Sequence, residues 1–450
     1  MNRARSVICA AVAAFLFIGG SASAAPNTTS TTSNAPGVLI NGTNVSLFVP
    51  YSTDNSLKIG TALKVIESAP GAAATKTVLL KTGYANSCAA SPATGIAVCS
   101  AAFGSSYLVR PPNNKVAGFK SGVTKRIHFT GGDCANCGVA IDDAMGLAIV
   151  STSKGYLPVQ ISPFGLQPII STNDDVISGN FGYDPVDHYI LSPNYQIVNL
   201  KTFKTQNPDY QIIDMSDGTA FDLSDKGGFF NAQGTCVTNS GSTTQRDALP
   251  DSGAYDVNTG IAYGTFRSPS DCVPDVVEDI ALFDLTQATF DTSTGTWSTS
   301  AKQIQTLSEM TDLTNGITGI AIVPGQSLAI VADRREISGS AGFGALSLPT
   351  SSGSGTPSIQ DWVQAEMPND PSGKPWQMGF MPNGLTAYAS PNNGEGMGVI
   401  INRARTYAAV VDIAALLAAP RQTGTMHTIS ASENLVTDNV VRFVDIRPGK

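Results

Sequence analysis

Charge is scarce in this chain. Lys, Arg, Asp and Glu make up 14% of its 450 residues, where a soluble globular protein carries about a quarter. Basic residues are the scarcer kind, 27 against 35 acidic ones, for a net charge of −8. Nucleic acids and anionic membrane surfaces both recruit clustered Lys and Arg, so this balance argues against either as a partner. Histidine is rarer still, with His128, His188 and His427 the three in the chain. A GxSxG elbow, HExxH, a P-loop and a complete EF-hand loop are all missing, which removes the signatures of the common serine hydrolases, zinc peptidases and nucleotide-binding folds. The stretch Asp214-Met215-Ser216-Asp217-Gly218 only echoes a calcium loop. Long apolar runs are lacking after the amino terminus, and so is a convincing amphipathic helix. The best helical candidate is Asp412 followed by IAALLAA, long enough for one or two turns.

At the amino terminus the pattern is that of an export signal. Arg3 and Arg5 precede an apolar run at residues 7–18, and Ala22-Ser23-Ala24 supplies small residues for cleavage. Cys9 lies deep in the apolar run behind Ile8, a poor context for lipidation. Residues 1–24 are therefore read as a signal peptide and the mature chain as secreted or periplasmic, without a transmembrane segment. Loss of Arg3 and Arg5 leaves 25 basic against 35 acidic residues. Residues 25–37, rich in Ser, Thr and Asn, read as a disordered leader. Asn27, Asn41 and Asn44 stand in N-x-S/T sequons that matter only in a glycosylating host.

Six cysteines remain after cleavage, an even number in an exported chain, which favours disulfides. Proximity suggests Cys88–Cys99, Cys134–Cys137 and Cys236–Cys272. The Cys134-Ala135-Asn136-Cys137 motif runs straight into a strand rather than a helix and has no second CxxC, so a structural clip is favoured over a redox or zinc centre.

The most telling stretch is GVAIDDAMGLAIV at residues 138–150: an apolar strand, a turn with Asp142 first and Gly146 at its exit, and a second apolar strand. Asp bonds back to turn backbone and Gly takes a positive φ without steric cost, so the phrase predicts a tight hairpin. Variants recur. Ser91 and Gly95 hold the same places between Cys88 and Cys99; Asp184 stands in GNFGYDPVDHYIL, and Asp256 and Gly260 in SGAYDVNTGIAYG. A looser copy has Asp222, and two others replace the Asp turn, in GIAIVPGQSLAIVAD by Pro-Gly and in MGFMPNGLTAYAS by Pro-Asn-Gly. Strand-like runs such as GYLPVQIS, YQIVNL, DIALFDL, GFGALSL and YAAVVDI fall between them. Such repeats, each about four short strands, mark a β-propeller. The reading is an all-β chain with residues 38–450 as a single propeller domain and a monomer. Seven blades are expected, with six and eight as alternatives, the ring closed by amino- and carboxyl-terminal strands sharing one blade.

The Asp-turn-Gly-Leu-Ala-Ile and Pro-Asn-Gly-Leu-Thr-Ala-Tyr phrases resemble the blades of the YVTN and NHL classes of propeller, with exported lactonase-like proteins the nearest enzymes. That resemblance implies a ligand at the mouth of a central channel. The residues just ahead of the expected inner strands are Asn86, Asn136, Asn180, Asp217, Asp251 and Asn315, oxygen donors of the kind calcium takes. In a lactonase such a cation would polarise an ester carbonyl. Asn and Asp also cap turns routinely, which is the competing reading. Trp376, ahead of QMGFM, is the best placed of three tryptophans to stack on a sugar or peptide, against a blade-contact role. Two functions are carried forward: a non-catalytic propeller binding a protein, peptide or glycan on one face, and a metal-assisted lactonase or related hydrolase. A quinoprotein oxidoreductase is a weaker third.

Overall fold

The computed structural model describes residues 37–41, 44–52, 61–69, 72–79, 85–101, 105–109, 125–128, 138–152, 155–166, 170–171, 181–199, 204–215, 220–222, 233–237, 243–247, 249–267, 279–287, 289–291, 293, 296–297, 302–306, 317–333, 342–351, 356–376, 384–402, 407–418 and 441–445. These form seven antiparallel sheets of four or five strands, with two further two-stranded pairs. Each of the seven is built as a meander, with two departures: Ile170–Ser171 of the third sheet pairs back with Gly155–Gln160, and the two-stranded pair Phe290–Asp291 and Thr296–Trp297 interrupts the fifth before its last strand, Lys302–Thr306. Their first strands are Gly37–Asn41, Ala85–Ser91, Val139–Asp142, Gly182–Tyr183, Leu249–Asp256, Ile317–Ile322 and Leu385–Ala389, and the sheets are numbered here in that order.

Why the strands read as continuous apolar runs, rather than alternating with polar residues, is clear from the third sheet. Val139–Asp142 is buried throughout. The pleat sends successive side chains to opposite faces. Val139 and Ile141, with Ala148, Val150, Leu157 and Val159, pack against Ala89, Ile96, Val98 and Leu108 of the second sheet. Ala140, Ile149 and Tyr156 turn the other way, onto Phe181, Tyr183 and Ile190 of the fourth. Each face is thus sealed by a neighbouring sheet, and each large apolar side chain so buried contributes up to about 1.5–3 kcal/mol.

The same stacking recurs through the chain. Leu39 and Phe48 of the first sheet pack on Cys88, Ala90, Ala97 and Cys99 of the second. Tyr263 and Leu282 of the fifth meet Ile320, Ala329 and Val331 of the sixth. Ile330 and Phe343 of the sixth meet Leu385, Ile400 and Ala409 of the seventh. Val38, Val45 and Leu47 of the first sheet pack against Met397, Val399 and Ala408 of the seventh. Between the fourth and fifth sheets the backbones themselves come together. A Cβ on Gly182 would stand 2.7 Å from the Ala254 carbonyl carbon, and one on Gly253 would stand 2.7 Å from the Gly182 nitrogen and the Leu191 oxygen. Only glycine permits that approach.

The expected hairpins at Ser91, Asp142, Asp184, Asp256 and Pro324 all join the first two strands of a sheet. The runs GYLPVQIS, DIALFDL, GFGALSL and YAAVVDI supply third strands. Asp412 caps the helix Ile413–Leu417, its carboxylate accepting from the Ala415 N–H at 2.9 Å, and the helix buries Ile413 and Leu416 in the core between the sixth and seventh sheets.

Two expectations are corrected, and a third falls largely outside the described residues. The looser Asp222 copy is no inner hairpin: Ala220–Asp222 is the outermost strand of the fourth sheet, paired to Lys204–Asp214. The Pro-Asn-Gly turn expected in MGFMPNGLTAYAS has Pro382 and Asn383 outside the described residues; Leu385–Ala389 leads into a further hairpin, closed by Ser390 N–H to Glu395 O at 2.7 Å. Lastly, the chain ends do not share a sheet. Gly37–Asn41 pairs with Asn44–Ser52 in the first sheet and Val441–Asp445 with Tyr407–Asp412 in the seventh. The reason is that Gly37–Asn41 already supplies the first sheet with an apolar leading strand, leaving no vacancy for the carboxyl-terminal one.

Cys88 and Cys99 are directly opposite in register, their Cα atoms 4.1 Å apart, and form the expected disulfide. Cys236 lies on Gln233–Val237, whereas Cys134, Cys137 and Cys272 fall outside the described residues.

Candidate functional site: a tyrosine–aspartate row at the hairpin turns

In the second to fifth sheets the turn between first and second strands begins with a side chain that accepts from the turn backbone. Asp142 Oδ1 takes the Met145 N–H at 2.9 Å, Asp184 Oδ1 the Val186 N–H at 2.8 Å, and Asp256 Oδ1 the Asn258 N–H at 3.0 Å. Ser91 Oγ does the same for Thr94 at 3.0 Å. Four residues on, the backbone takes a positive φ at Gly95, Gly146 and Gly260. In the fourth sheet that place belongs to His188, with φ +60°. A side chain there costs about 1–2 kcal/mol relative to glycine.

Tyr183 of the same sheet meets both this imidazole and the neighbouring sheet. The Tyr183 hydroxyl lies 2.8 Å from Asp142 Oδ2 and 2.9 Å from His188 Nδ1. A phenol has one proton. Tyr183 gives it to the Asp142 carboxylate, so His188 Nδ1 must be the donor to the Tyr183 oxygen, which fixes the imidazole tautomer. Asp142 Oδ2 and His188 Nδ1 are themselves 3.5 Å apart. Asp142 is wholly buried, and the His188 side chain is 34% exposed.

The dipeptide Tyr-Asp then repeats one sheet further on. Tyr255, preceding Asp256, faces Asp184 as Tyr183 faces Asp142. This second contact is looser, since Asp184 Oδ2 has no partner at hydrogen-bond distance. On the other side, Asp143 reaches back to the Ser91 hydroxyl and the Ala93 N–H of the second sheet. Turns of the second, third and fourth sheets are therefore linked in series by carboxylates, and Tyr255 sets the fifth against the fourth. Between the fifth and sixth sheets a cleft replaces the link, lined by Tyr255, Asp256, Val257, Val323 and Pro324 and holding about 10 Å³ of space, room for a single water. From sixth to seventh, the Gln326 side-chain amide donates to the Gly394 carbonyl at 2.5 Å.

Burial dominates the electrostatics of this row. It pushes the carboxyl groups of Asp143, Asp184 and Asp256 above the usual carboxylate range, against the turn hydrogen bonds that favour their charged forms. Burial, reinforced by the facing carboxylates, pushes the phenols of Tyr183 and Tyr255 well up as well. These tyrosines stay protonated and serve as donors.

Two of the residues expected at a channel mouth, Asn86 and Asp251, are on first strands, toward the end opposite the turn row. Asn86 lies on Ala85–Ser91 and Asp251 on Leu249–Asp256, each at a register shift where the strand pairing skips. Such bulges re-aim side chains. Asn136, Asn180, Asp217 and Asn315 fall outside the described residues. Among the described residues no three His, Cys, Asp or Glu side chains gather as a metal-binding group. Trp376 is wholly buried with Met367, Leu385 and Leu416 in the core between the sixth and seventh sheets, so its ring offers no face to a ligand there. The Tyr183–Asp142–His188 contact was not anticipated. The tandem Tyr-Asp ahead of two turns was the available signal, but nothing local shows that a tyrosine serves the preceding sheet's turn.

Four-stranded antiparallel meanders packed face to face in chain order, their first strands touching in succession, define a β-propeller. No protein-family model matches the chain, and no curated protein matches its sequence. Solved structures are similar in fold. A chain of Kuenenia stuttgartiensis hydrazine synthase superposes with a TM-score of 0.52 at 11% identity, over 89% of this chain and 99% of that one. A chain of the COPII outer coat vertex gives 0.48 at 10% identity, over 85% and 84%. A Myceliophteria thermophila β-propeller domain gives 0.45 at 6% identity, over 74% and 85%. At such identities the likeness is one of fold. Among the described residues no helix is long and apolar enough to cross a membrane.

Proposed function

We propose that this chain is an exported, non-catalytic propeller of seven blades that binds a protein, peptide or glycan partner on one face of its ring. Packing of the seventh sheet on the first, through Val38, Leu47, Met397 and Val399, supports seven blades and a closed ring without a shared blade. The observation that carries the binding reading is how the turn-face polar groups are used. Asp142, Asp184 and Asp256 hold backbone N–H groups of their own turns, and Tyr183 ties one turn to the next. They act as struts that stiffen a recognition surface, and a preorganised surface binds with less ordering cost.

The second reading, a metal-assisted lactonase or related hydrolase, draws on the other end of the sheets, where Asn86 and Asp251 sit at strand irregularities. Calcium is the cation that oxygen donors of this kind would take. Elemental analysis of the purified full chain, with lactone hydrolysis assayed before and after chelation, tests the choice. The binding reading expects no turnover with or without chelator. A stoichiometric cation, lost together with hydrolytic activity, would replace it by the second reading. Export to the periplasm or medium is tested by amino-terminal sequencing of the mature protein, expected to begin just after Ala24.

A further inference from the structure

Three large apolar side chains stand exposed among the described residues, and all three lie on the turn-bearing end of two adjacent sheets. Val186 is 68% exposed, Met145 49% and Leu166 43%. Met145 and Val186 occupy the tips of the first turns of the third and fourth sheets. Leu166 follows the third turn of the third sheet, which the antiparallel meander returns to the same end as the first.

These positions are tied together. Met145 N–H is held by Asp142, whose other oxygen takes the Tyr183 hydroxyl; Tyr183 is bonded in the chain to Asp184, which holds the Val186 N–H. The Gln160 side-chain amide donates to the Met145 and Gly146 carbonyls at 3.4 and 3.2 Å, and Gln160 pairs with Gly165, next to Leu166. Corresponding tips elsewhere are small or polar: Ala93, Asn258, Gly325, Asn392 and Asn393. The charge beside the apolar tips is of one sign. Asp187 is exposed and Asp143 half-buried, and residues 138–152, 155–166 and 181–192 contain neither Lys nor Arg. Isolated exposed apolar residues are ordinary. Neighbouring ones, braced on linked turns within an acidic margin, mark a recognition patch.

We infer that this end of the third and fourth sheets is the docking surface, and that its occupant is a peptide segment of a protein partner carrying Lys or Arg beside large apolar side chains. The apolar groups cover Met145, Val186 and Leu166, and the cation meets Asp187, the exposed carboxylate beside Val186. This inference rests on the binding reading above and narrows it to one face and one ligand chemistry.

A displayed random-peptide library selected on the immobilised full chain tests it, with enriched peptides then synthesised and titrated by fluorescence anisotropy. Basic, apolar peptides are expected to be enriched. Val186→Ser and Met145→Ser should each weaken them about tenfold, while Asn392→Ser on another turn leaves affinity unchanged. Binding should also weaken as salt rises from about 50 to 500 mM. Val186 and Met145 are exposed, so unchanged unfolding midpoints will show that the variants fold. Enrichment of acidic peptides, or of none, overturns the inference. So does a wild-type dimer that Val186→Ser converts to monomer, because the occupant is then a second copy. Basic peptides indifferent to both substitutions overturn the surface but leave the binding reading standing. That reading fails if a glycan array and the peptide library both yield nothing.

Discussion

Removing one oxygen tests the turn row most directly. Tyr183→Phe keeps the ring, which is buried in the core between the third and fourth sheets, and deletes the hydroxyl that meets Asp142 Oδ2 at 2.8 Å. Because the ring's burial is retained, the transfer term cancels and the loss is that of a hydrogen bond to a carboxylate, about 1.5–3 kcal/mol. Asp142 is wholly buried, so water does not replace the donor at no cost. His188 Nδ1, already 3.5 Å from that oxygen, can close part of the gap. The expected destabilisation is thus about 2 kcal/mol. Tyr255→Phe is the internal comparison. Its contact with Asp184 is looser, so its cost should stay below about 1 kcal/mol. In a His188→Gly background, where glycine suits the positive φ, Tyr183→Phe leaves Asp142 Oδ2 without either neighbour and should cost about 1 kcal/mol more than in the wild type. Urea unfolding followed by tryptophan fluorescence reads the wild type and all four variants. A Tyr183→Phe cost under about 0.5 kcal/mol, or equal costs for the two tyrosines, would refute the argument.

Other outcomes follow from the same geometry. The phenols of Tyr183 and Tyr255 are raised by burial and the facing carboxylates, so the unfolded chain loses their protons first as pH climbs past about 10. Stability they support below that pH should therefore fall at higher pH, and a Tyr183→Phe, Tyr255→Phe double variant should show a shallower alkaline decline in unfolding midpoint. Gly182→Ala would press a Cβ to 2.7 Å from Ala254 backbone and should cost about 3 kcal/mol or more. By contrast Gly325→Ala meets open space at φ +78° and should cost only about 1–2 kcal/mol; similar costs in denaturant titrations would contradict the close approach of the fourth and fifth sheets. A Cys88→Ala, Cys99→Ala variant frees a short hairpin loop and should lose about 3 kcal/mol, measured against the oxidised wild type; no loss would mean that the strand pairing alone holds that loop.

The turns, the strand content and one disulfide were legible in the sequence because their causes are local. An Asp or Ser accepts from backbone two or three residues on, and in three of the four turns a Gly four residues on takes the positive φ, so Ser91, Asp142, Asp184 and Asp256 declared their hairpins within a few residues of chain. Cys88 and Cys99 flank such a turn and were bound to face each other. The helix after Asp412 was equally local, a cap followed by apolar residues. Burial on both faces also left its mark, as runs like VAID and LAIV that only a sheet with neighbours on each side can hide.

Tertiary structure decided what joins to what. Whether Val441–Asp445 pairs with Tyr407–Asp412 or with the first strands is a choice between edges that look alike in sequence, settled because Gly37–Asn41 already fills the leading place in its own sheet. Trp376 lies wholly within the core by virtue of the helix and strands that close over it. The Tyr183–Asp142 bond spans 41 residues, and the apolar tips Met145 and Val186 become neighbours only through it. A turn's conformation is fixed by the few residues that make it. The partner of its carboxylate is fixed by how one sheet is stacked and registered on the next, which no short stretch of this chain encodes.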